Sequence, residues 1–140
     1  MNYVIDAMRE PKTCPPEMKI NEAAQIMRKE RIGSLIVVDE NQKIQGLVTE
    51  RDLVYRVLAE DRKPSNYTVK DVMTTNIVTV KPYNTIFEAI KIMREKHVRR
   101  LPVMKEDKLI GIITEREILS YILKAKEDID KASIFKEIFL

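Results

Sequence analysis

With 140 residues, 34% of them charged and 44% hydrophobic, the chain has a globular composition and room for one ordinary domain or two very small ones. A net charge of +3, interleaved Lys/Arg and Asp/Glu, 6% aromatics and no Trp argue against a dedicated nucleic-acid binder, which concentrates basic charge on one face. Cys14 and His97 are the only residues of their kinds, which excludes an intramolecular disulfide, a thiolate zinc cage, a His-rich metal site and most nucleophile–base arrangements.

In chain order, VIDAM (residues 4–8) opens the sequence and is followed by a Pro-rich stretch, PKTCPP. Asn21 is a plausible cap for INEAAQIMRKE, where Ala23, Ile26, Met27 and Glu30 have helical spacing. Leu35 to Val38 is a continuous apolar run ending at the polar turn DENQK, so it reads as a buried strand, with Gln45 to Val48 returning as its hairpin partner. GLVTERDL then turns from strand to helix, with Thr49 as cap and Asp52 three positions on. The closing helix carries Leu53, Val54, Val57 and Leu58 on one face. A polar connector, Ala59 to Tyr67, contains Pro64.

The chain then repeats itself. VKDVM, IFEAIKIMREK, RLPVM and GIITEREI match VIDAM, INEAAQIMRKE, SLIVV and GLVTERDL at an offset of 65 residues, or 66 between two one-residue loop adjustments. Asp6/Asp71, Met8/Met73, Thr13/Thr79, Glu22/Glu88, Met27/Met93, Gly46/Gly111 and Thr49/Thr114 all coincide. Each half reads as strand, helix, strand, strand, helix. The boundaries are residues 1–63 and 64–124, with a tail at 125–140. A unit of this size buries little surface alone, so the halves should pack together. The tail's Ile129, Ile134, Phe135, Ile138 and Phe139 are too apolar for a solvated end and should cover the body, a second subunit or a partner.

No apolar run approaches the roughly 20 residues that cross a bilayer, and MNYVIDAMRE lacks a signal-peptide core. A soluble, cytoplasmic protein is the expectation. Cys14 with His97 as a dyad has no local support, and His97 reads as a helix-end residue.

The V-x-D-x-M openings, the E-A-x-x-I-M-R helix, the R-R-L-P-V strand and the G-h-h-T-E-R-[DE]-h closures resemble the tandem CBS-domain pair, often called a Bateman module, over roughly residues 1–124. The resemblance implies an α/β (α+β) fold of two pseudo-symmetric repeats, each a small three-stranded sheet with two helices, followed by a helical tail. It implies a regulatory module with no obligatory cofactor, and because the sequence shows no nucleophile–base or metal constellation, neither an enzyme nor a metal site is expected. Its ligand would be AMP, ADP, ATP or S-adenosylmethionine, bound in clefts between the repeats. It also implies a homodimer formed through the repeat helices and a freestanding module that controls a partner protein in trans.

The resemblance places Thr49 and Asp52, with Thr114 and Glu117, at the ribose and phosphates. A carboxylate accepts from ribose hydroxyls, and a hydroxyl donates to phosphate. Arg51 and Arg116 lie in the same turns. Arg99 and Arg100, before Leu101 and Pro102, should draw the phosphates, whereas the first half has only Gly33, Ser34 and Leu35 there. Thr13, Thr79 and Ile77 would face the adenine. Because Glu117 is longer than Asp52, the first copy is expected to bind ligand and the second mainly to cap its helix. A ligand-free interaction module is the rival reading, and a nucleic-acid binder a more distant one.

Overall fold

The protein, seen in a computed structural model, is described over residues 2–140. The first half comprises α1 (Val4–Ala7), β1 (Thr13–Cys14), α2 (Ile20–Glu30), β2 (Ser34–Val38), β3 (Ile44–Thr49) and α3 (Glu50–Leu53). The second comprises α4 (Val69–Val72), α5 (Ile86–Lys96), β4 (Arg100–Lys105), β5 (Lys108–Thr114) and α6 (Glu115–Phe139). α2 and α5 both end on a residue in the left-handed region, Arg31 at φ 55° and His97 at φ 56°. That turn stops each helix and sends the chain into the hairpin strand.

β2 pairs antiparallel with β3, and β4 with β5, both hairpins carrying a register shift near the turn. β1 adds a parallel strand to the first hairpin through Thr13↔Ile36 and Cys14↔Val37. In the second half this strand shrinks to one parallel bridge, Val80↔Val103, so two sheets of three and two strands replace the expected pair of three-stranded sheets. Alternate residues of β2 face different layers. Leu35 and Val37 enter the first-half core, while Ile36 and Val38 meet Ile112 of the other half. Both strand faces are therefore buried, which is why the sequence there is unbroken apolar.

The opening helices are exchanged between the halves. Val4 of α1 lies fully buried among Ile86, Ala89, Leu101 and Ile113 of the second half. Val69 and Val72 of α4 are buried with Ile20, Leu35 and Val48 of the first. Matching backbone bonds hold both. Val4 N–H donates to the Asn84 carbonyl at 2.8 Å, and Val69 N–H to the Met18 carbonyl at 2.8 Å. Past each helix the chain bridges to the opposite hairpin, at Arg9↔Ile112 and Leu47↔Thr74.

The duplicated glycines make that approach possible. A Cβ on Gly46 would lie 2.6 Å from Met73 Sδ, and one on Gly111 would lie 2.5 Å from Met8 Sδ. The paired Met and Gly motifs are thus two sides of one contact.

After Leu53 the first closing helix widens into a π-helical turn, Val54–Leu58, where a plain helix was expected. α6 instead continues for 25 residues, about 37 Å at 1.5 Å per residue. Its apolar tail does not cover its own body. Ile129, Ile134, Phe135, Ile138 and Phe139 are all exposed, with Phe135 and Phe139 touching only at 4.7 Å between ring centroids. Among the described residues no helix is long and apolar enough to cross a membrane.

Candidate functional site: an arginine-lined cleft between the repeats

The two T-x-x-[DE] turns each form a complete capping box. Thr49 N–H donates to Asp52 Oδ2 at 2.9 Å, and Asp52 N–H returns to Thr49 Oγ1 at 3.2 Å. Thr114 N–H donates to Glu117 Oε2 at 3.0 Å, and the two side chains also meet. Asp52 therefore closes its capping box as the longer Glu117 does.

What distinguishes the copies is the residue that the exchanged segment brings to each carboxylate. Thr74 Oγ1 donates to Asp52 Oδ1 at 3.2 Å. At the matching point Arg9 Nε donates to Glu117 Oε1 at 3.1 Å. Asp52 is also approached by Arg56 Nε at 3.7 Å, and Arg56 donates onward to the Val72 and Met73 carbonyls at 3.0 and 3.2 Å. With 7% of its surface exposed, Asp52 joins the start of α3 to the segment that follows α4.

A cavity lies beside Glu117. It encloses about 650 Å³ and is reached by Arg9, Arg28, Arg31, Arg100 and Arg116, with Glu50 and Glu117 as the only acids. Ala24, Met27, Ile32, Leu53 and Val54 supply an apolar side, and Gly33, Ser34 and Thr114 complete the rim. Arg100 Nη1 donates to the Gly33 carbonyl at 3.3 Å, and Arg116 Nη1 to the Arg31 carbonyl at 3.4 Å. These bonds tie β4 and α6 of the second half to the α2–β2 turn of the first. Burial holds the Arg100 guanidinium below its ordinary pKa. Glu50 acts in the opposite sense, while Arg99 and Arg9 push it further down. Gly33 leaves space for Glu50, since a Cβ there would lie 2.3 Å from Glu50 Oε1.

Five sequence-designated residues, Ser34, Arg100, Thr114, Arg116 and Glu117, line this cleft. Thr49 and Asp52 form the other turn. Arg51 stacks on Tyr55 at 5.0 Å, and Arg99 is exposed outside the cavity lining. Leu35 and Leu101 are fully buried in separate cores, and buried Pro102 accepts from Val80 N–H at 3.0 Å. Thr13 and Thr79 are exposed and Ile77 half-buried, and none of the three lines this cavity. Sequence reading missed Arg9, Arg28, Arg31 and Glu50. Arg28 and Arg31, one turn apart at the end of α2, carried a detectable signal. Arg9 carried none, because only the exchange brings it near Glu117.

Cys14 and His97 form no pair. Cys14 is buried in the first-half core, where desolvation pushes its thiol up to about 11, and His97 is exposed at the end of α5.

A family model described as CBS domain matches residues 4–59 and 69–124. The chain belongs to the CBS-domain family. It is a tandem CBS regulatory module. Hypoxic response protein 1 of Mycobacterium tuberculosis is 34% identical over 123 residues, covering 87% of this chain and 86% of that protein. An uncharacterized protein of Methanopyrus kandleri is 38% identical over 114 residues. The aligned part spans 58% of that protein, and a similar match spans 35% of one from Thermofilum pendens. Among solved structures, a CBS-domain containing protein from Agrobacterium tumefaciens superposes with a TM-score of 0.79 at 30% identity, covering 84% of this chain and 91% of that one. Hypoxic Response Protein I, solved with two coordinated zinc ions, gives 0.74 at 32% identity, covering 85% and 98%. The described residues of the present CBS pair hold no cluster of three or more His, Cys, Asp or Glu suited to a metal.

If Asp52 chiefly holds the fold, Asp52→Ala lowers the unfolding free energy by about 2 kcal/mol, because it orphans Thr74 and opens the cap. Urea denaturation reads this directly. A loss below about 0.5 kcal/mol, the size of an ordinary surface change, contradicts the assignment.

Proposed function

We propose that this CBS pair senses an adenosine-containing nucleotide (AMP, ADP, ATP or S-adenosylmethionine) in the arginine-lined cleft and controls a partner protein in trans. The observation that carries the reading is the cleft's division into a guanidinium side and an apolar side. The first suits phosphate and the second a nucleobase. The weighting of the two turns is the reverse of that read from sequence. Glu117, Arg9 and Thr114 border the open cavity, whereas Asp52 is engaged by its neighbours. A match to inosine-5'-monophosphate dehydrogenase of Nitrosopumilus maritimus, over 21% of that enzyme's length, is in keeping with such a pair working alongside a separate functional unit.

The route from cleft to partner is α6. Its first turn carries Arg116 and Glu117 into the cleft, and the same helix ends in the exposed apolar tail. A ligand that shifts the first turn displaces the tail, which offers the docking face for the regulated protein. The homodimer is proposed through the closing helices. Val54 and Leu58 are exposed in the first half and Leu119 and Leu123 at the matching positions of the second, which gives two equivalent apolar patches.

Two outcomes are expected. In a thermal-shift series, an adenosyl ligand at about 100 times its Kd stabilises the fold by roughly 2.7 kcal/mol, or on the order of 10 °C. No shift with any adenosyl compound would leave the ligand-free interaction module as the better reading. In sedimentation, the native chain runs as a dimer and the Leu58→Glu, Leu123→Glu variant as a monomer. A variant that remains dimeric removes these helices from the interface.

A further inference from the structure

The ionic balance of the cleft bears on which nucleotide it accepts. Five guanidiniums face two carboxylates, an excess of three positive charges. Glu117 is already neutralised by Arg9 at 3.1 Å. Arg28, Arg31, Arg100 and Arg116 form no ion pair with any described residue, and Arg100 and Arg116 donate only to backbone carbonyls. Glu50, beside Arg100 and Gly33, is the one acid of the cavity lining left to offset four cations, with Glu115 acting on Arg100 from outside the lining. Such an arrangement is self-repelling until an anion enters, and Arg100 is half-buried, where water screens that repulsion least.

We propose, on the footing of the nucleotide reading above, that the cleft selects by phosphate count. It takes a nucleoside di- or triphosphate, holds AMP weakly and rejects S-adenosylmethionine. A monophosphate brings a charge of roughly −2, which leaves part of the cationic excess unmatched, while each further phosphate adds negative charge for the remaining guanidiniums. S-adenosylmethionine carries a sulfonium and an ammonium against one carboxylate, so it enters as a net cation into a net cationic cavity. The oligophosphate could reach the cleft as a nucleotide or as an inorganic chain. The apolar side formed by Met27, Leu53 and Val54 gives a base something to cover and gives an inorganic chain nothing, so the nucleotide is favoured.

The test is calorimetric titration of the full chain with ATP, ADP, AMP, S-adenosylmethionine and inorganic tripolyphosphate, without divalent cation, at low and high ionic strength. ATP and ADP are expected to bind roughly tenfold or more tightly than AMP, with an advantage that shrinks as salt rises. S-adenosylmethionine gives no heat. The Arg28→Gln, Arg116→Gln variant alters two exposed side chains, and its unchanged circular dichroism establishes that it is folded. It should bind ATP within roughly threefold of AMP.

AMP or S-adenosylmethionine binding as tightly as ATP overturns the selection by phosphate count and leaves the adenosyl reading intact. A variant that keeps the full ATP preference overturns the role of these arginines. Tripolyphosphate equalling ATP sustains the charge argument and removes the nucleoside from it. Silence from every compound overturns both.

Discussion

Val4 and Val69 are each fully buried in the core of the half to which they do not belong by sequence. Everything distinctive about this molecule follows from that pair of contacts. Each half alone lacks one wall of its core, and the other half supplies it. The two repeats therefore complete each other's interiors as well as packing face to face through Ile36, Val38 and Ile112. For units this small, sharing a core in this way increases the apolar area removed from water. The segment leaving each exchanged helix is carried past the end of the opposite hairpin, beside the opposite carboxylate turn.

That delivery differentiates the two turns. Where a threonine arrives, at Thr74, the acid is a buried aspartate that closes on its own neighbours. Where an arginine arrives, at Arg9, the acid is a glutamate that is ion-paired at the edge of an open, cationic cavity. One duplication has thus produced, from nearly the same octapeptide, one turn closed on a threonine and another ion-paired beside a cavity. The second closing helix starts at the turn beside the cavity and runs on to an uncovered apolar end, so one continuous helix joins the two features on which the proposed function rests.

Much of this was legible in the sequence, because the physical signals are local and appear twice. The apolar runs, the helix-end reading of His97 and the Thr49 and Thr114 caps specified helices and hairpins, whereas Asn21, read as a cap, lies inside α2, whose cap position is Lys19. The repeat itself specified the pseudo-symmetry. What sequence could not supply was the crossing of α1 and α4. The V-x-D-x-M motif and the glycine it packs against are separated by tens of residues, and nothing local says whether the partner glycine lies in the same half or the other. The omission of Arg9 followed from that one missing fact. The absent third strand of the second sheet has a similar origin, since a single bridge at Val80 leaves no periodic trace.

The exchange is tested most directly by residue-resolved native-state hydrogen exchange on Val4→Ala. Removing two methyl groups from a fully buried site costs about 2 kcal/mol in the core that holds them. The account predicts faster amide exchange across α5, β4 and β5 of the second half, with α2, β2 and β3 of the first half close to native. Loosening confined to the first half would contradict it.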